Sequence, residues 1–309
     1  MKTLRLVPDG TKLAFIEKRF IALVFSGFLL LGSLTVFFGN GLNLGIDFLG
    51  GILIEVKTKG PADVGALRAK IGNLNLGEVS IQEFGAPDDV LIRVQRQEGG
   101  DQKQQEAVAI VSAAIKDQVE EFRRTETVGP TVGSELKEAA IWAVFASIGA
   151  ILLYVWFRFE WQFALGAVIA LTHDVLTTIG LFALLDLEFN LASVAALLTI
   201  AGYSINDTVV IYDRVRENMR KFKRMPLTEL FNISINETLA RTVMTSVTTL
   251  LALTALVVFG GEVIRGFSIA LIWGVLIGTY SSVALAVPML IYLKVQRGDE
   301  GDYAPQTAP

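Results

Sequence analysis

Three ionisable sites lie in stretches apolar enough to exclude water. The first is Asp207, in "AGYSINDTVVIYDRVREN" (201–218). Placing a carboxylate in a membrane-spanning helix costs about 2.5–3.5 kcal/mol on insertion scales, so such a residue is kept for a reason. Residues three and four positions away share its helix face, which surrounds it with Tyr203, Ser204, Val210 and Ile211. With Asn206 beside them, Tyr203 and Ser204 suggest a stretch facing the bundle interior or water rather than lipid. Two readings follow from the residues: a protonatable carrier, or a pairing that only holds two helices together.

The second site is Arg241, opening "LARTVMTSVTTLLALTAL" (239–256). Thr245, Thr248 and Ala252 follow on its face, a small and polar stripe suited to close helix packing in lipid. A guanidinium at this depth could hold the Asp207 carboxylate ionised in one conformation and release it in another. The plainer alternative is an interfacial arginine reaching for headgroups. The third site is His173-Asp174, with the chain's one histidine, in the middle of a span. Neighbours on a helix point about 100° apart, so the two are expected to bond other helices, or to serve a proton path, rather than pair with each other.

Other chemistries find less support. The absence of cysteine excludes disulfides, thiolate metal sites and cysteine nucleophiles. "YD" at 212–213 echoes half of an intramembrane aspartyl protease signature, but no GxGD partner occurs and Asp213 falls at an expected membrane edge. HExxH is absent as well. No metal or organic cofactor is expected; a proton would be the coupling ion.

The elements that must position these residues are membrane helices. Of 309 residues, 52% are hydrophobic, and the mean hydropathy is +0.52. Six runs approach the roughly 20 apolar residues that cross a bilayer: 20–38, 139–157, 162–184, 189–212, 242–260 and 266–293. The first lacks a cleavage pattern and reads as a retained anchor. Lysines and arginines collect in 1–19, in a basic loop 213–241 and in the tail 294–309, which the positive-inside rule makes cytoplasmic. Both termini are then inside, and residues 39–138 lie outside.

This insert alternates strand and helix periods. "ILIEVK" (52–57), "VSIQEF" (79–84), "VLIRVQ" (90–95) and "FRRTETV" (122–128) read as strands, the second and third joined by the turn "GAPDD". Val64, Leu67 and Ile71 mark one helix; Val108, Val111, Ile115 and Val119 mark another. The order β-α-β-β-α-β is that of a ferredoxin-like α+β domain, with one face of the sheet covered by helices. "GVLIG" (274–278) is a GxxxG pattern of close packing.

Along nearly its whole length the chain resembles the SecF half of the bacterial SecD–SecF protein-export family, relatives of the resistance-nodulation-division transporters. The matching segments are "GIDFLGG" (45–51), "VGPTVGSELKEAA" (128–140), "WFRFEWQFALGAVIALTHD" (156–174), "AGYSINDTVVIYDRVREN" (201–218) and "ARTVMTSVTTL" (240–250). The resemblance implies a translocon accessory subunit of the inner membrane that uses the proton-motive force late in preprotein export. It implies Asp207 as proton carrier and Arg241 as its functional partner; the residues themselves, and not the resemblance, mark Tyr203, Ser204, Asn206, Thr245, His173 and Asp174 as supporting polar positions of the bundle. Implied partners are SecD as a separate chain, the SecYEG channel, YajC and YidC, unfolded preprotein and the lipid bilayer, with no nucleic acid. A proton-coupled exporter half for small molecules or lipids, and a passive scaffold, are the alternatives.

Overall fold

The computed structural model describes residues 7, 8 and 11–296. Of the expected cytoplasmic ends, residues 1–6, 9, 10 and 297–309 lie outside the described residues.

α1 (Arg19–Asn40) leads through the short α2 (Ile46–Leu49) into the inserted domain. That domain runs β1 (Gly51–Thr58), α3 (Val64–Gly72), β2 (Val79–Phe84), β3 (Ala86–Val94), α4 (Asp101–Ile115) and β4 (Val119–Val128). The four strands form one antiparallel sheet in the order β2-β3-β1-β4, the ferredoxin-like arrangement. Period-two alternation puts Ile52, Ile54 and Val56 on one face, where they meet Leu67 and Ile71 of α3 and Val111 and Ile115 of α4. Asp63 caps α3 by accepting the Ala66 amide at 2.9 Å.

Three local expectations change. "GAPDD" is not a free turn: Ala86–Asp89 belong to β3, with Ala86 opposite Phe84 and Asp89 opposite Lys57, and only Gly85, with φ +90°, makes the bend. Val119 opens β4 instead of continuing the helical stripe, because α4 stops at Ile115. The second face of the sheet is not bare either. Leu53 and Leu91 bury against Ile46 of α2, because the chain entering the domain folds back beneath the sheet.

The membrane part comprises α5 (Pro130–Arg158), α6 (Trp161–Leu184), α7 (Leu191–Lys221), α8 (Leu227–Phe259), α9 (Glu262–Ser281), a π turn (Ser282–Ala286) and α10 (Val287–Tyr292). With α1 these give six stretches long and apolar enough to cross a membrane. α6, α7 and the α9–α10 stretch form the buried centre, while α1, α5 and α8 present most of their surface outward.

The basic loop expected at 213–241 is a helical hairpin. At 31 residues α7 is about 46 Å long, well beyond the roughly 30 Å hydrocarbon core. Its charged end continues the helix to Lys221, and α8 starts at Leu227 after a short connection. Arg214 bonds Glu237 at 2.7 Å and Glu217 at 2.6 Å, and Asn218 donates to Ser234 and Glu237 at 3.0 and 2.8 Å. These bonds let the charges sit on packed helices. The last span is also interrupted. Pro288 has no amide hydrogen to bond the carbonyl one turn back, and the helix widens to π spacing over Ser282–Ala286.

The domain docks on the α6–α7 connection. The Gly45 amide donates to the Phe189 carbonyl at 2.9 Å, and the Leu191 amide donates to Asp47 at 2.9 Å. Arg93 pairs with Glu188 at 2.7 Å and bonds Asn43 at 2.8 Å.

Candidate functional site

The site is built on the crossing of α7 with α9. Ile200 faces Gly274, Ser204 faces Gly278, Thr208 bonds Ser282, and Tyr212 bonds the Ala286 carbonyl. Each step advances four residues on both helices, so the two run parallel in register. The other side of this seam is Gly274 and Gly278 of α9, then Ser282 and Ala286 of the π turn, a small residue every four positions. A Cβ on Gly274 would come within 2.2 Å of the Ile200 side chain, and one on Gly278 within 3.1 Å of the Ser204 Cβ. "GVLIG" is thus the tightest part of a longer small-residue stripe.

Asp174 reaches this seam from α6. It is 0% exposed. Its Oδ2 accepts the hydroxyls of Ser204 at 2.7 Å and Ser281 at 2.6 Å, and its Oδ1 lies 3.0 Å from His173 Nδ1. One carboxylate therefore ties α6 to α7 and to the last residue of α9. The contact with His173 overturns the expectation that these neighbours do not pair. Their Cα–Cβ vectors diverge, but the imidazole and carboxylate each swing far enough to close the gap. His173 is 4% exposed, and its Nε2 is buried without a partner.

Asp207 lies on the same stretch of α7, three residues past Ser204 and one before Thr208. It is 3% exposed, and its Oδ2 is buried with no hydrogen-bond partner. Thr208 donates to or accepts from Ser282 at 2.8 Å, and Ser282 reaches back to the Ser204 carbonyl at 3.3 Å. The turn of α7 that carries Asp207 is therefore held on the π turn by its neighbours while its own Oδ2 has no partner.

The other expected residues scatter. Arg241 is exposed on α8 and forms no ion pair with Asp207 among the described residues, although its charge acts on that carboxyl through space. Thr245 bonds the Thr242 carbonyl of its own helix at 2.9 Å. Tyr203 is half-buried with an unpartnered hydroxyl. Asn206 is exposed, so of the expected polar stretch it is Ser204 that turns into the bundle while Asn206 lies on the outer side of α7. Asp213, within α7, pairs with Arg158, the last residue of α5, at 3.1 Å.

Sequence reasoning missed Ser281, Ser282 and the π turn, for which Pro288 in an otherwise apolar span was the available signal. It also left "GIDFLGG" without a task. Gly45 has no room for a side chain beside Glu188 and Asn190, and Gly51, at φ +117°, faces the Val94 carbonyl. These glycines let the chain turn closely between membrane and domain.

Six candidate spans around a buried carboxylate–hydroxyl network, with one ferredoxin-like domain inserted after the first, define a multi-pass membrane protein whose polar chemistry lies between helices. Comparison with known proteins narrows this class. Residues 108–296 match the family described as protein export membrane protein SecD/SecF, C-terminal, and residues 35–62 match the SecD/SecF GG motif. The chain is 48% identical to the protein translocase subunit SecF of Cereibacter sphaeroides, covering 96% of this chain and 94% of that one. It is 46% identical to the SecF of Rhodobacter capsulatus, covering 96% and 93%. The crystal structure of SecDF from Thermus thermophilus, a translocon-associated membrane protein, superposes with a TM-score of 0.85 at 35% identity over 92% of this chain. The chain spans 39% of that SecDF chain. A crystal structure of SecDF in a super-membrane-facing form gives 0.68 at 36% identity, covering 94% of this chain and 40% of that one. The chain belongs to the SecD/SecF family, as a SecF protein translocase subunit.

Proposed function

We propose that this subunit works with SecD, carried on a separate chain, to couple proton entry to a late stage of preprotein export, with Asp207 as the proton carrier. The observation that carries this reading is the Asp207 carboxyl: buried on a spanning helix, with one oxygen unpartnered. An ionised carboxylate buried without a partner is costly, so a group in this state suits a neutral acid. An arrangement with α7 or α8 shifted could instead bring Arg241 to the ionised form and offset that cost. A proton crossing the full potential supplies about 2.3 kcal/mol per 100 mV, enough to bias two such arrangements against each other.

In this reading the basic hairpin end and both termini are cytoplasmic, and the ferredoxin-like domain stands on the far side of the bacterial inner membrane. The SecYEG channel delivers the preprotein, and YajC and YidC are candidate neighbours. Arg241, exposed on this chain, is available to the SecD side of the complex or to Asp207 after a helix shift.

Asp207→Asn in the intact complex is the test. Potential-dependent stimulation of preprotein release from inner-membrane vesicles should disappear, while SecD still copurifies. Wild-type stimulation by that variant would remove Asp207 from the carrier role.

A further inference from the structure

Asp174 is the most completely satisfied buried carboxylate of the bundle, and the carrier scheme does not use it. It accepts a hydroxyl from α7 and another from the end of α9 on one oxygen, and meets its neighbour His173 with the other. Ser204 stands three residues before Asp207. Ser282, next to Ser281, holds Thr208, the residue after Asp207. On the side of these ties away from Asp207 the α7–α9 seam consists of Gly278 against Ser204 and, a turn earlier, Gly274 against Ile200, with no large interlocked side chains on the α9 side. A seam of small residues resists sliding less than knobs set in holes do. Position along it is fixed by the hydroxyl bonds and by the Tyr212 bond to the Ala286 carbonyl.

We infer that Asp174 is a positioning residue for Asp207: by holding Ser204 and Ser281 together it latches α7 to the π turn in the arrangement where Asp207 is unpaired, and the working cycle requires that latch to open. The inference rests on Asp207 being the carrier. A buried carboxylate that loses two of its donors at once is left exposed to the full cost of an unsatisfied charge. The latch is therefore closed or replaced, with little in between, which is the behaviour a two-state element needs. The π turn suits this task, since a widened helix segment can shift its extra residue without unfolding.

The titratable and charged groups around Asp207 and the latch come from four helices. α6 brings His173 and Asp174, α7 brings Tyr203, α8 brings Arg241, and α9 brings Tyr280, whose ring lies 6.4 Å from that of His173. α5 carries no charged residue between Glu138 and Arg158, and α1 meets Tyr280 through Ser26 at 2.9 Å. The sign of the effect follows. The closed latch goes with an unpaired Asp207, which suits the protonated acid. Weakening the latch disfavours that arrangement, lowers the proton affinity of the cycle and moves its pH midpoint to the acid side.

The test uses the intact complex with SecD and the translocon in vesicles. Ser281→Ala removes one hydroxyl and should move the pH midpoint of potential-dependent release down by about 0.7 of a unit, a fivefold change or ~1 kcal/mol. A purely structural role would lower the yield of complex and leave the midpoint in place, which would overturn the proposal. The second arm uses the absence of cysteine from this chain. Ile200→Cys with Gly274→Cys places two thiols across the seam one turn from the latch, at the crossing where an added Cβ on residue 274 lies within 2.2 Å of the Ile200 side chain, and leaves Ser204 in place. Oxidation should stop potential-dependent release and reductant should restore it. Release at the uncross-linked rate from the oxidised pair would show that the seam does not open, and the proposal would fall. This arm reports on the seam even if Asp207→Asn behaves as wild type, so the two readings fail separately.

Discussion

Glu55 illustrates how a single side chain is set by its surroundings. It sits in the central strand with its carboxyl turned to the face beneath the sheet and is 6% exposed. Burial pushes its carboxyl above the usual range, and the guanidinium groups of Arg123 and Arg124 pull the other way without cancelling it. An acid raised in the folded state costs stability once ionised. The cost is absent where both folded and unfolded forms are protonated, and it grows as pH rises through the ordinary carboxylate range. Glu55→Gln should therefore slow hydrogen exchange of the β1 amides at pH 7 and leave it unchanged near pH 4. Faster exchange at pH 7 in the variant would mean that the arginines outweigh burial. Glu17 behaves oppositely: the amide of Asn232 holds its carboxylate below the usual range where the amino-terminal segment lies on α8.

Between elements, the close crossings are where glycine matters. Gly274 meets Ile200, Gly180 meets Ser33 of α1, and Gly166 meets the Tyr212 hydroxyl, each within 2.6 Å of an added Cβ. Gly149, on α5, has nothing within 4 Å. Gly274→Ala should destabilise the bundle by about 1–3 kcal/mol through overpacking. Gly149→Ala should be neutral or stabilising by up to about 1 kcal/mol, since alanine is the better helix former. Denaturant unfolding in detergent, followed by tryptophan fluorescence, would compare them; equal effects would contradict the seam. The "GVLIG" spacing marked this crossing in the sequence. Its partner helix and its extension through Ser282 and Ala286 were not legible, because a periodic small face does not say which helix meets it.

For the whole molecule, the junction between domain and bundle decides how movement passes from one to the other. Arg93 of β3 pairs with Glu188 of the α6–α7 connection, and both are largely buried. Removing either leaves the other without its charge partner, so Arg93→Ala and Glu188→Ala should each loosen the junction, and the double variant should cost little more than one. Exchange rates at residues 186–190 in the intact protein would measure this; additive effects would mean that the pair is not coupled.

Six membrane stretches, the strand and helix order of the inserted domain, and the placing of Asp207 and Asp174 away from water were all legible along the chain. These follow from composition and period, which depend on neighbours along the chain. Where the charged ends of α7 and α8 go was not determined, since positive charge marks a side of the membrane but does not distinguish loop from protruding helix. It took the packed helices to show that His173 and Asp174 meet, that Asn206 and Arg241 face outward, and that Ser204 and Ser281 share one carboxylate. Those facts depend on which face each helix turns to its neighbour. In the middle of an apolar bundle, a polar residue signals that it needs a partner, and packing between distant helices decides which partner it gets.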